Sequence, residues 1–186
     1  MGAAMSRLLY AVITGVFGAV LLHIIIILGI PHFTGKDAYT RVVAEGAPFV
    51  FHRLEVKPDT TGLSSLDPYM RVAVCHFDIS RQPLSLVALG SGSFWSISLY
   101  DKDSNEVFSM NDRTSVAGDV DVLLATPVQI AQLRKTPIPA LAQTILVEHR
   151  GTTGYAVLRS MVAQPSFEAE AREFLAEAEC LPFTGR

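Results

Sequence analysis

Between Arg7 and Lys36 the chain carries no aspartate, glutamate, lysine or arginine. A surface helix of a soluble domain needs a polar face, so this absence excludes that reading for the segment. Cysteine is also scarce: Cys75 and Cys180 are the only two. Their spacing fits no zinc motif, which rules out a thiolate metal module and a disulfide-dense scaffold. They can pair in an oxidising compartment or serve as two buried small hydrophobes, and the sequence leaves both open. Charged residues make up only 18% of the chain, with net charge −3 and a pI near 5.9. No basic cluster interleaved with aromatics occurs, so nucleic acid is excluded as a partner.

The catalytic signatures are missing too. Histidines 23, 32, 52, 76 and 149 are scattered, without H-E-x-x-H or H-x-H spacing. No G-x-S-x-G elbow occurs, and "GSGSFWS" links two strand-like segments, where a nucleophile elbow links strand to helix. No phosphate-cradling glycine loop is present, and no cofactor is implied.

What the chain does have is apolar length. The stretch from Leu8 to Ile30, "LLYAVITGVFGAVLLHIIIILGI", would span about 34 Å as a helix, enough to cross a bilayer core. A cleaved signal peptide has a shorter apolar region and a small-residue cleavage site, and "GIPHFTGKD" offers none. An uncleaved transmembrane anchor over residues 8–30 is therefore expected, after a short flank at 1–7. Ala11, Gly15 and Ala19 recur every fourth residue, a small-residue face that lets helices approach closely. His23, a polar side chain inside the anchor, is a candidate for contact with a partner helix. The expected partners are the lipid bilayer and, through this helix, another envelope protein or a second copy.

Residues 31–46 read as a juxtamembrane helix and linker, with Tyr39, Val42 and Val43 on one side. Residues 47–186 read as one β-rich domain. "PFVFHRLEV", "YMRVAVCHFDIS", "LSLVALG", "FWSISLY", "EVFSM" and "DVDVLLA" are strand-like, and in "FWSISLY" Trp95, Ile97 and Leu99 share one face. A helix is predicted at "TPVQIAQLRK", with Thr126 as N-cap and Pro127 opening it. "QTILVEH" and "GYAVLRSMVA" suggest a hairpin around Gly151–Gly154. "SFEAEAREFLAEAE" reads as an amphipathic helix capped by Ser166, with Phe167, Phe174 and Leu175 as its apolar stripe. The expected fold is mainly β, a sandwich or barrel with peripheral helices, preceded by the membrane helix.

"DKDSNEVFSMND", residues 101–112, places Asp101, Asp103, Asn105 and Asp112 near the ligand spacing of a calcium loop. Glu106 stands where such a loop needs glycine, Asp112 replaces the bidentate glutamate, and both flanks alternate like strands. A hairpin turn is the better reading, because Asp, Ser and Asn bond nearby backbone groups. No metal is expected. Ser96, Ser98, Tyr100, Asn111, Asp112 and Arg113 are candidates to line a polar pocket, against a solvated sheet face with an internal Asp–Arg pair.

"FWSISLYDKDSNEVFSMNDR", with the upstream "DPYMRVAVCHFDISRQPLSLVALGSGS", resembles bacterial envelope proteins carrying the domain of unknown function number 1254, whose companion is number 1214. Trp95, Ser96, Tyr100, Asp101, Asn111 and Arg113 occupy comparable places. The resemblance implies a β-rich envelope domain and no established activity. It favours export of residues 36–186 to the periplasm, with the amino terminus in the cytoplasm; Arg7 against Lys36 and Arg41 does not decide the matter alone. The expected function is that of a non-catalytic binding or assembly component of the inner membrane, with Trp95, Tyr100, Asn111, Asp112 and Arg113 as candidate binding residues. The rival reading is an envelope enzyme with a site around Tyr100, Asp112 and Arg113.

Overall fold

The computed structural model describes residues 2–33, 37–57, 60–90, 92–136 and 138–185. Lys36, Ser91 and the side chain of His32, named above, lie outside the described residues. The chain divides into two units, Met1–Lys36 and Asp37–Arg186. The first is one helix, α1 (Gly2–Phe33). Its stretch Met5–Ile30 has mean hydropathy 2.7 with none of it buried, long and apolar enough to cross a membrane.

The second unit is built on two sheets. The first has five strands in the order β1 (His52–Arg53), β2 (Met70–Asp78), β8 (Thr153–Met161), β4 (Trp95–Asp101) and β5 (Glu106–Asn111), all antiparallel. The second has four: β7 (Ile145–Glu148), β6 (Val120–Ala125), β3 (Leu84–Ala88) and β9 (Glu179–Pro182). Alternation decides which side chains meet. Ala73, Cys75 and Phe77 of β2, Trp95, Ile97 and Leu99 of β4, and Ala156 and Leu158 of β8 face inward from one sheet. Leu84, Leu86, Val120, Val122, Leu124 and Cys180 come from the other, in the same buried cluster. Two sheets sharing one core make this a sandwich. Cys75 and Cys180 are bonded across it, with Cα atoms 6.7 Å apart.

The helices fill the margins. α2 (Ala38–Ala44) starts on Asp37, whose carboxylate accepts from the Thr40 N–H at 2.7 Å. It lays Val42 and Tyr39 over Val74, Tyr155 and Val157 on the outer face of the five-stranded sheet, so it belongs to the domain. α3 (Pro127–Lys135) starts on Thr126 as expected, and Gln129 completes a capping box: the Gln129 N–H bonds the Thr126 side chain, and the Gln129 side chain accepts from the Thr126 N–H. α4 (Glu168–Glu177) buries Phe174 and Leu175, and Phe174 stacks on Trp95 at 6.1 Å.

Three expectations fail on long-range geometry. "QTILVEH" and "GYAVLRSMVA" form no hairpin: β7 pairs in parallel with β6, and β8 lies in the other sheet. A parallel pair needs a crossover, and α3 lies between β6 and β7 in the chain. Ser166 caps nothing, since Pro165–Phe167 forms a 3-10 turn and α4 opens after Phe167 without a side-chain cap. "PFVFHRLEV" keeps only His52 and Arg53 as strand.

Candidate functional site

Register along β4 separates the predicted pocket residues. Ser96 faces Asn111 across the β4–β5 pair, whereas Tyr100 faces Glu106 beyond a bulge. Trp95 and Tyr100 are thus five strand steps apart, about 17 Å, and point to opposite faces of the sheet. Trp95 is fully buried, its Nε1–H donating to the Gly118 carbonyl at 3.0 Å. Tyr100 lies on the outer face, its ring stacked on Tyr155 with centroids 5.0 Å apart. Asn111 closes the turn after β5, its Oδ1 accepting from the N–H groups of Arg113 at 3.0 Å and Thr114 at 3.2 Å. The Asp112 N–H donates to the Trp95 carbonyl at 3.2 Å; its Oδ1 is buried with no partner among the described residues. Arg113 is exposed, and no ion pair joins it to Asp112. The five therefore form no common pocket: three build a turn, one fills the core and one sits at the far end of the strand. Of the flanking serines, Ser98 accepts a bond from Arg159 Nη1 at 3.3 Å.

Residues 101–105 are a hairpin turn. The Ser104 N–H bonds the Asp101 carbonyl at 3.0 Å and the Asp101 N–H bonds the Asn105 carbonyl at 3.0 Å, with Ser104 at φ 62°. That is a three-residue loop, a turn closed by a left-handed residue. The Asp101 carboxylate shapes it, one oxygen accepting from the N–H groups of Asp103 at 2.9 Å and Asn105 at 2.8 Å, the other from Asn105 Nδ2 at 2.9 Å. Desolvation opposes ionisation there, but these hydrogen bonds outweigh it and hold the carboxyl below its ordinary pKa. Asp112 lies at the other end of β5. Among the described residues no group of three or more His, Cys, Asp or Glu side chains is placed to hold a metal.

Beside this turn lies an open depression of about 540 Å³, whose lining includes Asp101, Lys102, Val107, Glu148, His149 and Gly151. His149 is 5% exposed, with Phe77 edge-on at 6.5 Å and Nε2 unpartnered among the described residues. Gly151 packs so closely that a Cβ there would lie 2.7 Å from that nitrogen. His52 and His76 are structural: their Nε2 atoms bond the carbonyls of Ala47 at 2.8 Å and Gly46 at 2.9 Å. A carbonyl only accepts, so each ring nitrogen carries the proton.

In α1, Ala11, Gly15, Ala19 and His23 fall four residues apart along one stripe and are exposed. The polar side chain of Thr14 is satisfied within the helix, donating to the Tyr10 carbonyl at 2.8 Å.

Sequence reasoning missed a cationic cluster. Arg71 of β2 holds Glu168 bidentately, Nε to Oε1 at 3.0 Å and Nη2 to Oε2 at 2.6 Å. Arg172 reaches the same carboxylate through Nε at 2.6 Å. These bonds hold the Glu168 carboxyl below its ordinary pKa. Glu168 and Arg172, four residues apart in a helix, were the legible part of this cluster.

No family model matches the chain, and neither does any curated protein. Solved structures are similar, among them two bacterial proteins. The VPA0106 protein from Vibrio parahaemolyticus matches at 13% identity and TM-score 0.52, over 64% of this chain and 29% of its own. An uncharacterised protein from Burkholderia cenocepacia matches at 12% identity and TM-score 0.49, over 82% of this chain and 42% of its own. The chain thus spans less than half the length of either, and the Vibrio structure supports the fold of the domain alone.

Proposed function

We propose that this is a single-pass protein of the bacterial inner membrane, its amino terminus cytoplasmic and its β-sandwich periplasmic, acting as a binding or assembly component of the envelope. The observation that carries the reading is the Cys75–Cys180 bond through the core. Disulfides form and persist in oxidising compartments and are rare in the cytosol, so a domain built around one belongs outside it. The charge-free helix α1 supplies the anchor, and its stripe from Ala11 to His23 supplies the surface for a partner helix or a second copy. Tyr100 lies at the opposite end of β4 from Asp112 and Arg113, so the residues of the rival enzyme reading do not meet in one site, and the binding reading is preferred.

The test is topological. A carboxy-terminal alkaline phosphatase fusion should be active and a cytoplasmic reporter at the same point silent. An amino-terminal tag should remain on the mature membrane protein. A silent phosphatase with a bright cytoplasmic reporter would reverse the orientation. Loss of the tag with release of a soluble domain would make α1 a cleaved signal.

A further inference from the structure

We propose that the cleft between β1, β2 and α4 binds a small oxyanion, a carboxylate or phosphate group, through Arg53 and Arg172, beside the fixed cation Arg71. The three guanidinium groups come from different elements and line one cleft of about 120 Å³, whose walls include Val72 and Leu175. Its size excludes a drug-sized ligand, which takes about 300 Å³ or more, and suits a small anion or an anionic head group.

The chain's own Glu168 shows how these groups are set. Its carboxylate gathers Arg71 and Arg172, and Arg71 is pinned from behind by the carbonyls of Pro68 at 3.2 Å and Met70 at 2.9 Å. Arg71 is therefore a fixed, mostly buried cation, its side chain 18% exposed. Arg172 commits only Nε, and its side chain is 65% exposed, leaving the planar Nη edge for a second anion. The Arg53 side chain makes no hydrogen bond or ion pair among the described residues. Against these three cations stand Glu168, already engaged, and the exposed Glu55, so the cleft keeps a positive excess on a chain whose net charge is −3. Guanidinium forks match carboxylate and phosphate oxygens bidentately, which a surface lysine pair does not.

The experiment uses the full-length protein in a neutral detergent at low salt. Its thermal midpoint is followed while sodium phosphate or sodium acetate is added, with sodium chloride at equal ionic strength as reference. A saturable rise with phosphate, acetate or both, above that with chloride, is expected, and the arm that responds assigns the head group. Arg53→Ala and Arg172→Ala, both on the exposed rim, should each weaken the response at least about tenfold, the loss of one charge-assisted hydrogen bond. Arg53→Lys should recover only part of it, since the charge returns without the fork. Equal responses to all three salts, or rim variants that titrate as the parent does, would overturn the proposal.

Discussion

Breaking the Cys75–Cys180 bond should cost this domain a large share of its stability. The bond closes a loop of 105 residues, from the second strand of one sheet to the last strand of the other. In the chain-entropy account, a cross-link closing about 100 residues restricts the unfolded ensemble by about 4.7 kcal/mol. A domain of this size has about 5–15 kcal/mol in all, so the loss is a third or more of the total. Both sulfur atoms lie in the core, the residues 0% and 2% exposed, and replacing them by alanine adds a small cavity term of the same sign. At about 2–4 °C per kcal/mol, the thermal midpoint of the Cys75→Ala, Cys180→Ala protein should fall by about 10–18 °C. The assay is near-ultraviolet circular dichroism of the detergent-solubilised chain, parent against variant. The buried position adds a kinetic signature. Reductant should leave the folded parent unchanged for as long as it stays folded, and act once the sandwich opens. A midpoint within about 2 °C of the parent would refute the reasoning, as would free thiols on both cysteines when the protein is unfolded under alkylating conditions straight from cells.

Three further outcomes follow from local geometry. Val116–Asp119 is a turn with positive φ at Ala117 (58°) and Gly118 (86°), closed by the Asp119 N–H to the Val116 carbonyl at 3.2 Å; Ala117→Asn should raise stability by about 0.5–1 kcal/mol in urea unfolding, because asparagine tolerates the left-handed conformation that alanine resists. Glu168, whose folded pKa lies below its ordinary value of 4.5, contributes stability that is complete above that value and lost as pH falls through the folded pKa; the gap in urea midpoint between the parent and Glu168→Gln should hold above about pH 5.5 and close in acid. In α1, Gly15→Ile should weaken association in a membrane two-hybrid assay, since bulk on the small-residue stripe holds backbones apart, whereas Val12→Ile should not; equal behaviour of the two would remove the stripe as a packing face.

What the sequence made legible was short-range. The Thr126–Pro127 helix start, the Asp101 hairpin and the apolar run each depend on residues within one turn, one loop or one unbroken segment, so composition and spacing suffice. The polar pocket weighed at Ser96, Ser98, Tyr100 and Asn111 to Arg113, against a solvated sheet face, does not assemble, because its residues were grouped by closeness along the chain, whereas Trp95 fills the core as its alternation indicates. A strand advances about 3.3 Å per residue and turns over at every step, so neighbours in sequence diverge in space. The reverse holds for Arg53, Arg71 and Arg172. Beyond the i, i+4 pair of Glu168 and Arg172, nothing local marks them, and only the pairing of β1 with β2 and the docking of α4 bring them to one cleft.

The same reasoning explains why the cysteines could not be paired from sequence. Cys75 is the sixth residue of β2 and Cys180 the second of β9, strands that are not neighbours in either sheet. Their meeting requires that both sheets be complete and face each other with this register. β9 must pair with β3 so that Cys180 lies opposite Leu86, and β2 must pair with β8 so that Cys75 lies opposite Ala156. A one-residue slip in either pairing would turn one thiol to the outer face. The bond therefore ties the registers of both sheets to each other, and its formation needs the oxidising surroundings that the proposed topology gives the domain.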